Sequence, residues 1–208
     1  TRVALSARFF LILTEKRRPD VRYYMLNKPK DTLTACRDER GAVVMDCFPE
    51  GERAGLFPVG RLDRDTEGFL LVTDDGTLSF SLMQPEFHVE KTYYFYALGV
   101  LDDEKCRALE AGVPIFGNGK RTAPAKIRRL GSTTLREILP YLSGKDRKVN
   151  DRRGDQPVTE ATLTIPEGKK HQVKRMLKAV RCRVLYLRRI AIGGVTLDPA
   201  LGPGEYRP

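Results

Sequence analysis

The residues best suited to chemistry are five charged side chains within seven positions, from Arg61 to Glu67. Three of them are carboxylates and two are guanidinium groups, and Asp63 lies between Arg61 and Arg64 in sequence. A carboxylate among guanidinium groups stays ionised, which suits a nucleophile and does not suit a proton donor. Asp63 is therefore the candidate catalytic residue of this stretch.

Two simpler interpretations of the same stretch compete with catalysis. Asp65 and Glu67 can cap a turn and pair with the neighbouring arginines, and we favour that structural role for both. The three acids are also spaced, before Gly68, like the first calcium ligands of an EF-hand loop. Position twelve of such a loop would be Asp74, shorter than the usual glutamate, and no helix pattern precedes the stretch. Calcium is therefore disfavoured.

The elements after the charged stretch would hold it against a core. Residues 69–72 (FLLV) are apolar in every position, as in a buried strand, and the Asp-Asp-Gly sequence at 74–76 is a turn signal. A solvated loop needs no buried strand behind it. The pattern therefore predicts a few charges held rigidly beside a core, as a functional site requires.

The composition describes a globular chain with an excess of positive charge. Of 208 residues, 41% are hydrophobic and 31% charged, enough for one large or two small domains. Lys and Arg total 37 against 27 Asp and Glu, a net charge of +10. This balance favours a nucleic acid partner over an anionic membrane or small phosphorylated substrates.

Cysteine and histidine usage favours neither metal binding nor disulfides. The four cysteines contain no Cys-x-x-Cys pair, and neither histidine has a metal-spaced partner in sequence. This predicts no metal, no disulfide framework and a reducing cytoplasm. No apolar run approaches the ~20 residues of a membrane span, so we expect no membrane partner. Residues 1–20 lack the features of a signal peptide, and their pattern is separate from that of the chain after them.

The coarse secondary structure predicts an α+β fold with a mostly antiparallel sheet, because many strands and few helices succeed one another without a βαβ rhythm. Residues 43–48 could form a helical turn or a strand, and residues 131–157 are expected to form a charged, basic excursion. Helices are expected at residues 78–83, 103–111 and 171–180, the second capped by Asp102 and stopped by Gly112. Strands are expected at residues 21–26, 33–36, 91–100, 122–130, 159–165 and 184–192.

Five motifs, taken together and in order, resemble those of the pseudouridine synthases, in the RsuA-like branch that modifies ribosomal RNA. The resemblance covers residues 21–208, which would form the catalytic domain. The motifs are YMLNKP at 24–29, GRLD at 60–63 with its continuation to Gly76, EKTY at 90–93, EGKKHQVKRM at 167–176, and IGG at 192–194 through PGEYRP at 203–208.

The resemblance implies a role for individual residues. Asp63 matches the essential aspartate that breaks the uridine N-glycosidic bond. Tyr93 matches the tyrosine that packs against the target base and helps to remove the C5 proton, and Lys174 matches the basic residue that pairs with the aspartate. Leu187 would line the pocket beneath the base. The implied substrate-binding residues, besides Leu187, are Lys28, Arg61, Arg64, Lys169, Lys170, His171 and Arg175.

Each of these residues also has an ordinary structural interpretation. A tyrosine such as Tyr93 on a strand is usually a core aromatic, and Lys174 and Arg175 on a helix usually form a solvated face. His171 would most often be a surface histidine. The motif context favours a functional role for Asp63, Tyr93 and Lys174, and leaves both interpretations open elsewhere.

The implied activity is isomerisation of a uridine to pseudouridine in ribosomal RNA, with 16S small-subunit rRNA as the expected target. It requires no cofactor, and the protein would act as a cytoplasmic monomer. The alternative is a catalytically inactive RNA-binding or ribosome-assembly protein with the same fold. The chain departs from the branch in two places. Residues 1–20 are too short for its N-terminal S4 module and could be a remnant of one, and Arg181 stands where the helix usually runs into glycine.

Overall fold

The computed structural model describes residues 20–115, 117–142, 147 and 154–208. Apart from Asp20, the predicted N-terminal segment 1–20 lies outside the described residues. The α-helices are α1 (Gly76–Met83), α2 (Asp103–Glu110), α3 (Leu135–Ile138) and α4 (Gln172–Ala179), and 3-10 helices lie at Val44–Cys47, Glu50–Glu52, Pro85–Phe87 and Leu139–Tyr141. The strands are β1 (Tyr23–Lys28), β2 (Phe57–Pro58), β3 (Glu67–Thr73), β4 (Lys91–Leu98), β5 (Lys126–Thr134), β6 (Pro157–Ile165), β7 (Arg183–Ile192), β8 (Val195–Thr196) and β9 (Tyr206–Arg207).

The described chain divides into two compact units, called here unit 1 (residues 20–91 and 188–208) and unit 2 (the described part of 92–187). The strand order is β7-β3-β1-β9 in unit 1 and β5-β6-β4-β7 in unit 2, since β7 contributes residues to both. In unit 1, β3 pairs with β1 antiparallel and with β7 in parallel. Mainly antiparallel strands with a few helices confirm the predicted α+β class.

Strand β3 is the buried element of unit 1. Its side chains from Phe69 to Thr73 are at most 1% exposed, because apolar clusters cover both faces. Phe69 and Leu71 pack in one cluster, and Leu70 and Val72 pack in the other. Each such side chain stabilises the fold by about 1.5–3 kcal/mol. The prediction of a buried strand behind the charged stretch is confirmed.

The turn signal at residues 74–76 fixes the start of α1. Asp75 is the N-cap of this helix and accepts a hydrogen bond from the Leu78 amide at 2.9 Å. The Tyr23 hydroxyl donates to the same carboxylate at 2.8 Å. Asp74 accepts bonds from the backbone and side chain of Arg22, at 2.8 and 2.7 Å. The helix therefore begins two residues earlier than expected.

Unit 2 matches the sequence pattern closely. Along β4, Tyr93, Phe95 and Ala97 are buried while the residues between them are half-buried, which is the period-two alternation of a strand with one core face. Helix α2 is capped as predicted, since the Asp102 side chain accepts from the Lys105 amide at 2.9 Å. Gly112 comes after it with a φ of +85°.

Three local predictions are wrong. Residues 33–36 form no strand, because Leu33 alone makes an isolated bridge, to Val43. The strand expected at 122–130 starts at Lys126 and continues through a bulge between Arg129 and Gly131. Residues 131–142 were expected to belong to a basic excursion, but they form the end of β5, α3 and a 3-10 helix. Residues 143–146 and 148–153 of the expected excursion lie outside the described part of the chain. Residues 43–48 contain a 3-10 helix, one of the two forms foreseen.

No helix within the described ranges is long and apolar enough to cross a membrane.

Candidate active site

The turn that carries Asp63 is fixed to unit 1 through its backbone. On its N-terminal side, the Val59 amide donates to the Leu71 carbonyl at 2.8 Å. The Thr34 hydroxyl donates to the Leu62 carbonyl at 2.8 Å and lies 3.2 Å from the Leu62 amide nitrogen. Beyond Asp63, the Thr66 amide donates to the Asp63 carbonyl at 3.0 Å. The half-buried Asp63 side chain is therefore carried by a backbone with little freedom to move.

The buried side chain of Lys28 supports the turn that carries Asp63. Its side chain is 0% exposed, and Nζ donates to the carbonyl oxygens of Pro29 at 2.9 Å, Arg64 at 3.2 Å and Thr66 at 2.9 Å. Burial lowers the pKa of Lys28 from 10.5 to about 8, an effect that Asp65 and Glu67 partly oppose. The Lys28 ammonium group therefore donates its hydrogen bonds to the protein's own backbone. This position favours support of the turn over the direct substrate contact predicted for Lys28.

The two arginines of the charged stretch point outward. Arg61 and Arg64 are both exposed, and the Arg64 Nε donates to the Asp31 carbonyl at 3.2 Å. Asp31 itself has a φ of +60°, a conformation that aspartate tolerates better than most residues. The exposed guanidinium groups are placed where RNA phosphates could meet them, and that contact stays a prediction.

A buried arginine packs beside the strand after the turn, and sequence reasoning missed it. Arg189 is 4% exposed, and its Nε donates to the Phe69 carbonyl at 2.8 Å. Its Nη2 is buried and has no hydrogen-bond partner among the described residues. Burial, with a smaller effect of Arg189, lowers the pKa of Lys91 to about 8. Gly68 makes this packing possible, because a Cβ at that residue would lie 2.2 Å from the Arg189 carbonyl oxygen.

In unit 2, two side chains brace an exposed basic loop. The Gln172 Oε1 accepts from the Lys169 amide at 2.8 Å, and the Gln172 Nε2 donates to Glu167 Oε1 at 2.7 Å. The same Glu167 oxygen accepts from the Ala123 amide at 2.9 Å. The brace presents three exposed side chains in succession, those of Lys169, Lys170 and His171, at the start of α4. The structure therefore brings these predicted substrate-binding residues together.

Helix α4 has the predicted apolar face, on which Val173, Met176 and Leu177 are buried. Lys174 is half-buried, next to this face in sequence. Arg175 is exposed, but its Nη2 donates to the Ile115 carbonyl, so part of this side chain is held by the protein.

The two apolar site residues predicted in unit 2 are both buried. Tyr93 is 8% exposed and Leu187 is 5% exposed. Tyr93 shares its face of β4 with Phe95 and Ala97, as a core aromatic would. Burial of this kind suits an apolar wall for a base, and the catalytic and pocket roles of Tyr93 and Leu187 stay predictions.

The sequence profile of the RNA pseudouridylate synthase family matches residues 22–179. The chain belongs to this family. The match contains the Asp63 turn, Tyr93, the braced loop and the whole of α4. An RNA pseudouridylate synthase isomerises uridine within RNA, so the chain is an isomerase that acts on RNA.

Individual relatives agree with this assignment. The uncharacterized RNA pseudouridine synthase YtzG of Bacillus subtilis is 46% identical over 89% of this chain and 68% of its own length. The ribosomal small subunit pseudouridine synthase A of Escherichia coli is 37% identical over 90% of this chain and 70% of its own. A crystal structure of a pseudouridylate synthase, 33% identical, superposes with a TM-score of 0.74 over 92% of this chain and 71% of its own. These relatives place the synthase in the RsuA-like branch.

Sequence reasoning proposed the site residues of the synthase from the motifs and did not predict the burial of Lys28 or Arg189. Strand β7 also contains Arg183 and Arg188, so the sequence alone does not single out Arg189 as the buried arginine. Glu167 and Gln172 lie in the EGKKHQVKRM motif, but the sequence did not show that they bond to each other and to the loop backbone. Within the described ranges, no group of three or more His, Cys, Asp or Glu side chains is arranged to hold a metal ion.

Proposed function

We propose that this protein converts a specific uridine of ribosomal RNA to pseudouridine, with 16S small-subunit rRNA as its target. The observation that carries the proposal is the Asp63 turn: a family aspartate held by a fixed backbone, with its carboxylate half-exposed between two exposed arginines. Relatives named ribosomal small subunit pseudouridine synthase A match about 90% of the chain at 36–37% identity, and this supports the target.

We assign the chemistry to Asp63, Tyr93 and Lys174. The reaction breaks the N1–C1′ bond of the uridine, turns the uracil and forms a C5–C1′ bond, while the C5 proton leaves and N1 gains one. Atoms and electrons balance without an oxidant, reductant or group donor. In this assignment, Asp63 acts in its ionised form on the ribose, on the base or on a dissociated intermediate. Tyr93 packs against the base and assists loss of the C5 proton, and Lys174 supplies a positive charge.

We assign substrate binding to the exposed basic side chains and to one apolar wall. RNA phosphates carry the negative charge that the arginines of the Asp63 turn and the braced loop of unit 2 can neutralise. Leu187 lines the base pocket in this proposal. The basic set comprises Arg61, Arg64, Lys169, Lys170, His171 and Arg175, while Lys28 acts from beneath the turn.

We propose that residues 21–208 form the catalytic region of the protein. We propose that the protein acts as a monomer in the cytoplasm, where ribosomal RNA is matured.

The deciding experiment is release of tritium from 16S rRNA labelled at uridine C5, offered both as free RNA and as partly assembled small subunits. The label leaves only when the base is rejoined through C5. We expect release by the wild type and none by Asp63→Asn, because the amide cannot act as an ionised carboxylate.

Glu39→Gln is the control, since it removes an exposed carboxylate from unit 1 outside the turn that carries Asp63. It should keep the wild-type rate within about threefold, as for a surface substitution. Equal release by wild type and Asp63→Asn would refute the assigned role of Asp63. Absence of release from both substrates would favour the catalytically inactive RNA-binding or ribosome-assembly alternative.

A further inference from the structure

Helix α1 has apolar side chains on two faces. Leu78 and Leu82 are buried at 6% and 5% exposure, as expected for the face against the core. Phe80 and Met83 lie three residues apart on the outer side, and they are 67% and 53% exposed. Phe87, in the 3-10 helix after α1, is 36% exposed. We call Phe80, Met83 and Phe87 the α1 apolar surface.

This surface adjoins the turn that carries Asp63. Gly60 has a φ of +71°, and a Cβ added there would lie 2.9 Å from the Met83 sulfur and 3.5 Å from its Cε. The Met83 thioether therefore occupies the space beside Gly60, three residues before the catalytic aspartate. The exposed Arg61 comes directly after Gly60. An apolar side chain therefore contacts the turn at the residue before an exposed cation.

The size and charge of the surface decide what it can bind. Three side chains cannot supply the roughly 800 Å² that each partner buries in a typical stable protein–protein interface. They can cover the faces of one or two nucleic acid bases, which stack on aromatic rings whatever their sequence. Helix α1, which carries Phe80 and Met83, has no charged residue from Gly76 to Met83, while the exposed Glu86 lies beside Phe87 at the edge of the surface.

The reaction itself creates a need for such a surface. A uridine that is to be detached and rotated must leave its stack, and the bases beside it then lose a stacking partner. An exposed aromatic ring on the helix whose Met83 lies beside Gly60 can restore part of that stacking energy.

We propose that Phe80 and Met83 stack against unpaired bases of the substrate RNA that flank the target uridine. This inference rests on the proposed function for the identity of the RNA. The contact is tolerant of base sequence and acts on binding of the substrate, so it contributes to KM and leaves the chemical step unchanged.

The first test compares steady-state tritium release by the wild type, Phe80→Ala and Phe80→Trp. Phe80→Ala should raise KM about 5- to 150-fold, the range found when a stacking aromatic is removed, with kcat within about twofold. Phe80→Trp should retain the wild-type KM, because it keeps an aromatic face. Val100→Ala is the matched control, an exposed apolar side chain (57%) in unit 2, and should behave as the wild type. An unchanged KM for Phe80→Ala, or a Phe80→Trp protein as weak as Phe80→Ala, would overturn the inference.

The second test does not depend on turnover. Phe80 is replaced by the photoreactive p-benzoylphenylalanine, and the protein is irradiated with labelled 16S rRNA, with the same replacement at Val100 as control. A covalent RNA adduct at position 80 and none at position 100 is the expected result. Absence of an RNA adduct at position 80 overturns the inference, including when a protein adduct forms there. If the wild type releases no tritium, the proposed function fails, and the adduct still decides whether RNA contacts this surface.

Discussion

The Nζ atom of Lys28 lies 2.9 Å from the carbonyl oxygen of Thr66, and so a residue of β1 holds the end of the turn that carries Asp63. The same nitrogen also binds the Arg64 carbonyl at 3.2 Å. Both oxygens belong to the four residues that begin at Asp63. A buried cation thus restrains the backbone immediately after the proposed catalytic carboxylate, and the geometry of that carboxylate depends on it.

Replacement of Lys28 by methionine should impair catalysis more than substrate binding. The variant keeps the volume of the side chain and leaves carbonyl oxygens of the turn without their donor, at a cost of about 1–3 kcal/mol in stability. A small displacement of Asp63 should then lower kcat about 10- to 100-fold. Tritium release below the melting temperature of both proteins measures this effect. Lys30→Met, on a half-buried neighbour, is the control, and an unchanged kcat for Lys28→Met would contradict the supporting role.

Lys28 should also make stability depend on pH in a defined window. Its pKa is about 8 in the folded protein against 10.5 for the ordinary amine, because burial disfavours the charged form. Between about pH 8 and pH 10.5, the Lys28 amine is protonated in the unfolded chain and has largely released its proton in the folded protein. The free energy of unfolding should therefore rise with pH, by up to ~1.4 kcal/mol per pH unit, and this contribution is lost as the pH falls through about 8.

Urea unfolding of wild type and Lys28→Met from pH 7 to 10.5 isolates that contribution. Other titrating groups, such as Lys91 and the cysteines, are common to both proteins and largely cancel in the difference. The wild type should gain stability relative to the variant as the pH rises. A difference that stays flat across the window would show that the pKa of Lys28 is not lowered.

How far the sequence determines the fold is clearest along α4 and β3. The spacing of Val173, Met176 and Leu177 predicted the buried face of α4, and residues 69–72 predicted a strand with both faces covered. Both depend on local periodicity, which a single sequence contains. The strand at 33–36 was wrong because only Leu33 finds a pairing partner, in Val43. Pairing is a tertiary property that local propensity does not determine.

In the candidate site, too, local sequence predicts some residues, while long-range contacts determine the others. Asp63 could be proposed as the catalytic residue because its charged neighbours and the motif lie together in sequence. The burial of Lys28 could not be found, since it arises from carbonyl groups 36 and 38 residues away. The cation of Arg189 is buried by its packing on Phe69, 120 residues away. Long-range contacts of this kind leave no periodic pattern.

The end of α4 offers a test of backbone strain. Arg181 was predicted to lack the conformational freedom of the glycine usual at this place, yet it adopts a φ of +59°. The Cys182 amide donates to the Leu177 carbonyl at 2.9 Å and the Arg181 amide to Lys178 at 3.0 Å, which is the hydrogen-bond pattern of a Schellman C-cap. Arginine pays about 1 kcal/mol to take this left-handed conformation.

Arg181→Gly should therefore stabilise the protein by up to about 1 kcal/mol, after the greater chain entropy of unfolded glycine is subtracted. Thermal melting with a denaturant series measures the change. Arg181→Ala is the control, because it removes the charge and keeps the side-chain strain, and it should not stabilise. If alanine stabilises as much as glycine, charge repulsion explains the gain and strain does not.

The braced loop of unit 2 should contribute to RNA affinity through its charges alone. Lys169 and Lys170 are exposed, and the Glu167–Gln172 bond that supports the loop leaves both ammonium groups on the surface. Each lysine that neutralises an RNA phosphate should add about 0.7–0.9 to the slope of log affinity against log salt.

Lys169→Gln and Lys170→Gln should each lower that slope by about this amount in filter-binding titrations, with kcat unchanged. Arg107→Gln removes the same charge from an exposed position on α2 in unit 2 and should leave the slope as in the wild type. Equal slopes for all four proteins would mean that the loop does not contact phosphate. A slope lowered equally in the control variant would mean that net charge, and not the loop, determines the salt dependence.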